Sequence, residues 1–189
     1  NLNLKKNKLR LSISQINQSS KKVSPKVLKS FKIAINRIKN YHKKQFPKNY
    51  SVNNKNTNLL SKWFPINSVG IYVPGGKASY PSSLIMSIVP AQIAGVKRLT
   101  VMTPCKNGKL NPYIMSILKL LKVDEVYPIG GAQAIVALSY GTKKIKAVDK
   151  IFGPGNAYIA ATKKQVYGSV GIDLIAGPSE VVVVADKNN

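Results

Sequence analysis

The sequence predicts an α/β fold, and three observations carry that prediction. From Val69 onward, short apolar runs alternate with segments of helical period, the order of elements that builds a parallel sheet through right-handed crossovers. Most of the apolar runs end against a glycine- or proline-containing loop, as strands do when they hand over to helices. The chain has 189 residues, 44% of them hydrophobic, enough to bury the core of about one domain. These observations describe a Rossmann-like parallel sheet with flanking helices, preceded by a helical arm.

The elements follow in order. Val27, Leu28, Phe31, Ile35 and Ile38 recur at helical spacing, so residues 24–46 read as a helix, with Pro25 suited to its first turn and Pro47 closing it. Residues 48–62 are polar and Asn-rich and read as a loop. Strands are expected at 69–73, 98–103, 125–129, 147–152 and 181–185, and helices between them at 81–94, 111–121, 132–140 and 156–167. Gly95 and Gly141 lie just past two apolar periods, where helices take a glycine cap, and Ser79 is placed to cap the helix entered at Pro81. Pro90 falls inside that helix and should kink it. The organisation is thus an arm and linker over 1–65, a sheet domain over 66–175, and the start of a further segment over 176–189.

Composition excludes several classes. No stretch reaches the about 18 unbroken apolar residues that a membrane helix needs, and the Lys-rich first residues lack the apolar centre of a signal peptide. Cys105 is the single cysteine, so no internal disulfide can form, which fits a reducing, cytoplasmic compartment. The formal charge of +24 raises the question of nucleic acid. Its distribution points the other way. All six acids follow Val123, the lysines are scattered, and Arg10, Arg37 and Arg98 are the only guanidinium groups. Base and phosphate readout favours clustered arginine with interleaved aromatics. An abundance of Asn, Ile, Lys and Tyr is what AT-rich codons would produce at surface positions.

The chemistry is expected in four loops: Val73-Pro74-Gly75-Gly76, Gly130-Gly131-Ala132-Gln133, Gly153-Pro154-Gly155-Asn156 and Ala176-Gly177-Pro178-Ser179-Glu180. The spacing Gly-x-Gly-x-x-Gly is absent after the first strand. Paired glycines nonetheless admit a ligand close to the backbone, and two of the loops open directly into helices whose first amides are free. Gln133 and Asn156 stand at those helix starts, able either to cap the helix or to hydrogen-bond a ribose or a base. Tyr72 lies within the first strand, before the glycine pair, where a tyrosine is most often core or rim. Ser179 lies in Gly-Pro-Ser-Glu rather than in a Gly-x-Ser-x-Gly elbow, and no histidine follows it, so binding suits it better than nucleophilic attack.

Read in order, the stretches 72–83 (YVPGGKASYPSS), 90–96 (PAQIAGV), 130–135 (GGAQAI), 149–156 (DKIFGPGN) and 172–180 (IDLIAGPSE) resemble histidinol dehydrogenase. The likeness runs from about Ala34 to Asp186 and extends to Ile38, His42, Gln45 and Pro47 on the arm. The resemblance implies NAD-dependent oxidation of L-histidinol to L-histidine through an aldehyde, the last step of histidine biosynthesis, in a cytoplasmic, zinc-dependent homodimer. It implies NAD contacts at Tyr72, Gln133 and Asn156 and a substrate contact at Ser179. It also implies that the chain is the amino-terminal portion of a two-lobed enzyme. The zinc ligands and the Glu-His pair that moves protons are expected downstream of Asn189, so neither a catalytic residue nor a metal ligand is assigned here. The one histidine, His42, sits among lysines on the arm, a poor start for a zinc site. Two further readings remain open: a related NAD-dependent alcohol dehydrogenase with another small substrate, and a noncatalytic basic remnant.

Overall fold

The computed structural model describes residues 9–75, 79–105, 109–175, 177, 180–183 and 185. The elements run α1 (Ile13–Ser20), α2 (Pro25–Lys43), β1 (Tyr50–Asn54), β2 (Thr57–Ser61), β3 (Ser68–Tyr72), α3 (Pro81–Ile93), β4 (Arg98–Met102), α4 (Pro112–Leu120), β5 (Glu125–Tyr127), α5 (Ala132–Tyr140), β6 (Lys150–Phe152), α6 (Ala157–Val166) and β7 (Gly171–Ile172). Five strands form one sheet in the order β5-β4-β3-β6-β7, with every neighbouring pair parallel. The expected α/β class and parallel sheet are therefore what the chain folds into.

β3 lies at the centre and is buried at all five positions, which is why its sequence reads as a run without polar alternation. One face of the sheet packs Ile71 and Val101 against Leu84 and Ile88 of α3 and Ile117 and Leu118 of α4. The other packs Tyr72, Met102 and Ile151 against Ile135 and Leu138 of α5 and Ile159 of α6. Chain order reverses at β3, since β4 and β5 lie to one side of it and β6 and β7 to the other. The crevice between the carboxyl ends of β3 and β6 is thus a topological switch point, where open α/β sheets bind their ligands.

The arm helix is present as α2. Ser24 caps it, Pro25 takes its first turn, and Phe31, Ala34, Ile35 and Ile38 pack one stripe against the core. α1 precedes it, fixed by a capping box in which the Ser12 hydroxyl accepts from the Gln15 amide and Gln15 accepts from the Ser12 amide. Leu11 and Ile16 enter the same core, and the Leu11 amide donates to the Val126 carbonyl on edge strand β5 at 2.9 Å. Gly95 and Gly141 adopt φ of 84° and 74° beyond α3 and α5, as helix-ending glycines do. Pro90 lies within α3, which continues through Ile93.

Four expectations need correction. Residues 48–62 are no loop: β1 and β2 pair antiparallel from Tyr50 with Ser61 to Asn54 with Thr57. The two-residue turn at Lys55 and Asn56 uses no positive φ and no glycine, so the usual hairpin signal is missing, and asparagines mask the apolar positions Val52, Leu59 and Leu60. Second, the described residues of the 181–185 run form no strand. Val181, Val182 and Val183 are 74%, 89% and 81% exposed, because no described strand offers them an edge and no described helix covers them. Third, β7 was not anticipated, since two residues are too few to show a period. Fourth, Ser79 does not cap α3: the capping position is Tyr80, which makes no side-chain cap bond. No described helix is long and apolar enough to cross a membrane.

Candidate functional site

Three of the predicted ligand residues sit at the carboxyl end of the sheet, each placed there by a strand that has just ended. Tyr72 is the last residue of β3 and only 5% exposed. Its ring packs into the core beneath α5, and its hydroxyl accepts from the Gly131 amide at 3.3 Å, occupying a donor that the start of α5 would otherwise leave free. On the opposite side, the Tyr72 carbonyl fills the space that a Cβ on Gly153 would need, and Gly153 has φ of 129°. Only glycine tolerates both conditions. Tyr72 is thus the hub joining the loop after β5 to the loop after β6.

Asn156 and Gln133 behave differently, although both stand at helix starts. Asn156 is the N-cap of α6, and its Oδ1 accepts from the Ile159 amide at 3.2 Å. Gln133 is the second residue of α5, exposed, and makes no capping bond. Gly131 is the N-cap instead, and a Cβ there would meet Gln133 Oε1 at 2.8 Å, so the amide group lies folded over the loop glycine. The capping reading therefore explains Asn156 and leaves Gln133 without a structural task. Ser179 lies outside the described residues.

A cavity of about 480 Å³ opens beside the switch point, lined by Ser83 and Ser87 of α3, the Gly153-Pro154-Gly155 loop, Lys163 of α6 and Asp173. Lys163 is 5% exposed. Its Nζ donates to Asp173 Oδ1 and to the Gly153 carbonyl, both at 2.6 Å, while Asp173 Oδ2 accepts from the Gly153 amide at 2.9 Å. Sequence reasoning passed over this lysine. The signal was available, because Lys163 falls on the buried stripe of α6 with Ile159, Thr162 and Val166, where a charge requires a partner.

A metal finds no such arrangement. No group of three or more His, Cys, Asp or Glu able to hold an ion occurs among the described residues. His42 lies on α2, where Nδ1 is 2.7 Å from Gln45 Oε1 and the ring stands edge-on to Tyr41. It borders an apolar cavity of about 520 Å³ with Phe46, Trp63, Met86 and Phe152. A zinc ion does not fit that donor set, which lacks convergent partners.

Comparison with known proteins gives the family. The family model described as histidinol dehydrogenase matches residues 1–189. The chain is 50% identical over 177 residues to the histidinol dehydrogenase of Rhizobium meliloti (strain 1021), covering 93% of this chain and 41% of that protein. It is 53% identical over 178 residues to that of Pelagibacter ubique (strain HTCC1062), covering 93% and 42%. Its structure is similar to the crystal structure of histidinol dehydrogenase from Elizabethkingia anophelis, with a TM-score of 0.87 at 36% identity over 92% of this chain and 41% of the other. The chain spans about two-fifths of the length of the curated relatives it matches.

Proposed function

The chain belongs to the histidinol dehydrogenase family, and from that premise we propose that it supplies the cofactor side of an enzyme that oxidises L-histidinol to L-histidine with NAD. The observation that carries this reading is that Tyr72, at the end of the central strand, joins the glycine loop that opens α5 to the glycine loop that opens α6, beside the β3/β6 switch point. Such a site favours a dinucleotide. Its backbone amides attract a pyrophosphate.

NAD, when bound, accepts a hydride at its nicotinamide ring. The residues of this chain bind and orient it. Tyr72, held rigid by its buried ring and its bond to Gly131, fixes the spacing of the two loops. Asn156 caps α6 by accepting the Ile159 amide, and Gln133 offers the oxygen and the NH2 of its exposed carboxamide to ribose or base. Ser179 is proposed to contact L-histidinol. No step is routed through zinc, because the donors described here do not fit one. Proton transfer is assigned to groups outside this sequence, and the homodimer and cytoplasmic location rest on the family resemblance.

The experiment is an equilibrium titration of the intact protein with NAD and, separately, with L-histidinol. Gln133→Ala is the decisive variant, because an exposed residue with no capping bond should change stability by less than about 0.5 kcal/mol. It is expected to weaken NAD and leave L-histidinol unchanged. Equal loss for both ligands would show that Gln133 acts through the fold, and wild-type protein that does not bind NAD would overturn the reading.

A further inference from the structure

Lys163 is the part of the crevice that ligand contacts leave unexplained. It is a charged residue in the middle of the buried stripe of α6, and its Nζ spends two donors on the protein itself, at Asp173 Oδ1 and the Gly153 carbonyl. Asp173 in turn takes the Gly153 amide and, through Oδ1, the Leu174 amide at 2.9 Å. Both backbone polar groups of Gly153 are thereby held by one ion pair. Gly153 is also the residue pressed against the Tyr72 carbonyl, so the same pair fixes how the β6 loop meets the end of β3.

Packing alone does not call for this arrangement. A buried ion pair replaced by apolar residues of similar volume is often neutral or even more stable, because desolvating two charges offsets much of their attraction. What apolar residues cannot supply is direction. Hydrogen bonds to one glycine's N–H and C=O set the loop's tilt and height, and the first residues after that glycine are Pro154, Gly155 and Asn156. We infer that Lys163 and Asp173 form a clasp that holds the 153–156 loop in the geometry required to receive the dinucleotide. Both are positioning residues that act through Gly153. The inference rests on the NAD reading above.

The test titrates the intact protein with NAD and with L-histidinol in three forms: wild type, K163M and K163M/D173N. The single variant strands a buried carboxylate. The double variant removes that charge, while the amide replacing Asp173 still offers an oxygen to the Gly153 N–H. In both, NAD affinity is expected to fall about tenfold or more and L-histidinol affinity to stay within about twofold, while the thermal midpoint of the double variant returns toward that of wild type. If K163M fails to fold, the double variant decides. Folded K163M/D173N with NAD affinity within about twofold of wild type overturns the clasp, as does a parallel loss for both ligands. Wild-type protein that binds no NAD overturns the cofactor reading and the clasp with it, which separates the two failures.

Discussion

At the end of the sheet where the strands begin, charged side chains close the structure; at the end where they finish, glycine loops and helix starts border a cavity. Arg98, the first residue of β4, donates through Nε and Nη2 to both oxygens of Glu125, the first residue of β5, each at 2.9 Å. Its remaining donors reach the Ala147 and Lys146 carbonyls at 2.7 and 2.8 Å, tying down the turn that leads into β6. Beside it, Asp149 accepts from both the amide and the hydroxyl of Ser68. The opposite end has glycine loops, two helix amino termini and a cavity, with the Lys163–Asp173 pair as its one described ion pair. Polar side chains there hold the loops by single amides: Tyr72 takes Gly131, Asp173 takes Gly153 and Asn156 takes Ile159. The same sheet therefore separates a stabilising rim from the rim proposed to bind the ligand.

Breaking the stabilising rim should produce the largest effect. Arg98→Met leaves Glu125 and two carbonyls without their partner, and should lower unfolding free energy by about 3 kcal/mol in denaturant titrations. NAD affinity of the molecules that remain folded should not move. Gly153→Ala attacks the binding rim, where a Cβ runs into the Tyr72 carbonyl at φ of 129°. It should cost about 2 kcal/mol of stability and, unlike Arg98→Met, also abolish measurable NAD binding by calorimetry. Tyr72→Phe removes only the acceptor for the Gly131 amide, and a loss of about 1 kcal/mol is expected, with a weaker NAD complex.

The smallest effect is in pH. Burial by itself would raise the Glu125 carboxyl, but its hydrogen bonds and charge pairing with Arg98 outweigh burial and hold it below the usual carboxylate range. A depressed folded-state value means stability that is present above the ordinary carboxylate pKa and lost as pH falls through the folded one. Thermal midpoints measured from neutral pH down through the carboxylate range should fall, and Glu125→Gln should flatten that part of the curve. A slope unchanged in that variant would remove Glu125 from the account.

The binding rim was more legible in the sequence than the stabilising one. Glycine pairs and helix-start amides are local, so Gln133 and Asn156 could be placed at two strand ends from spacing, whereas Tyr72 read as core or rim and joined them only through the family resemblance. The helices α2 to α6 were legible for the same reason, each carrying an apolar stripe bounded by Pro, Asn or Gly. Partners remote in the chain were not. Nothing near Arg98 announces Glu125 or the carbonyls at 146 and 147, and nothing near Lys163 announces Gly153. The hairpin of β1 and β2 was missed because its turn needs no glycine, and β7 because it is two residues long.

One contact has a meaning in time. The Leu11 amide meets the Val126 carbonyl and Arg10 meets Asp124, pairs joined across 114 residues of chain in the latter case. On a ribosome adding about 5–20 residues per second, the first helix waits on the order of 6–20 seconds for the strand it closes. During that wait α2 can already dock on α3, whereas α1 meets α4 only shortly before β5 follows. The segment around α1, made before the sheet, is thus among the later parts to reach its final place, and the nascent chain depends on whatever shields Leu11 and Ile16 until α4 and β5 emerge.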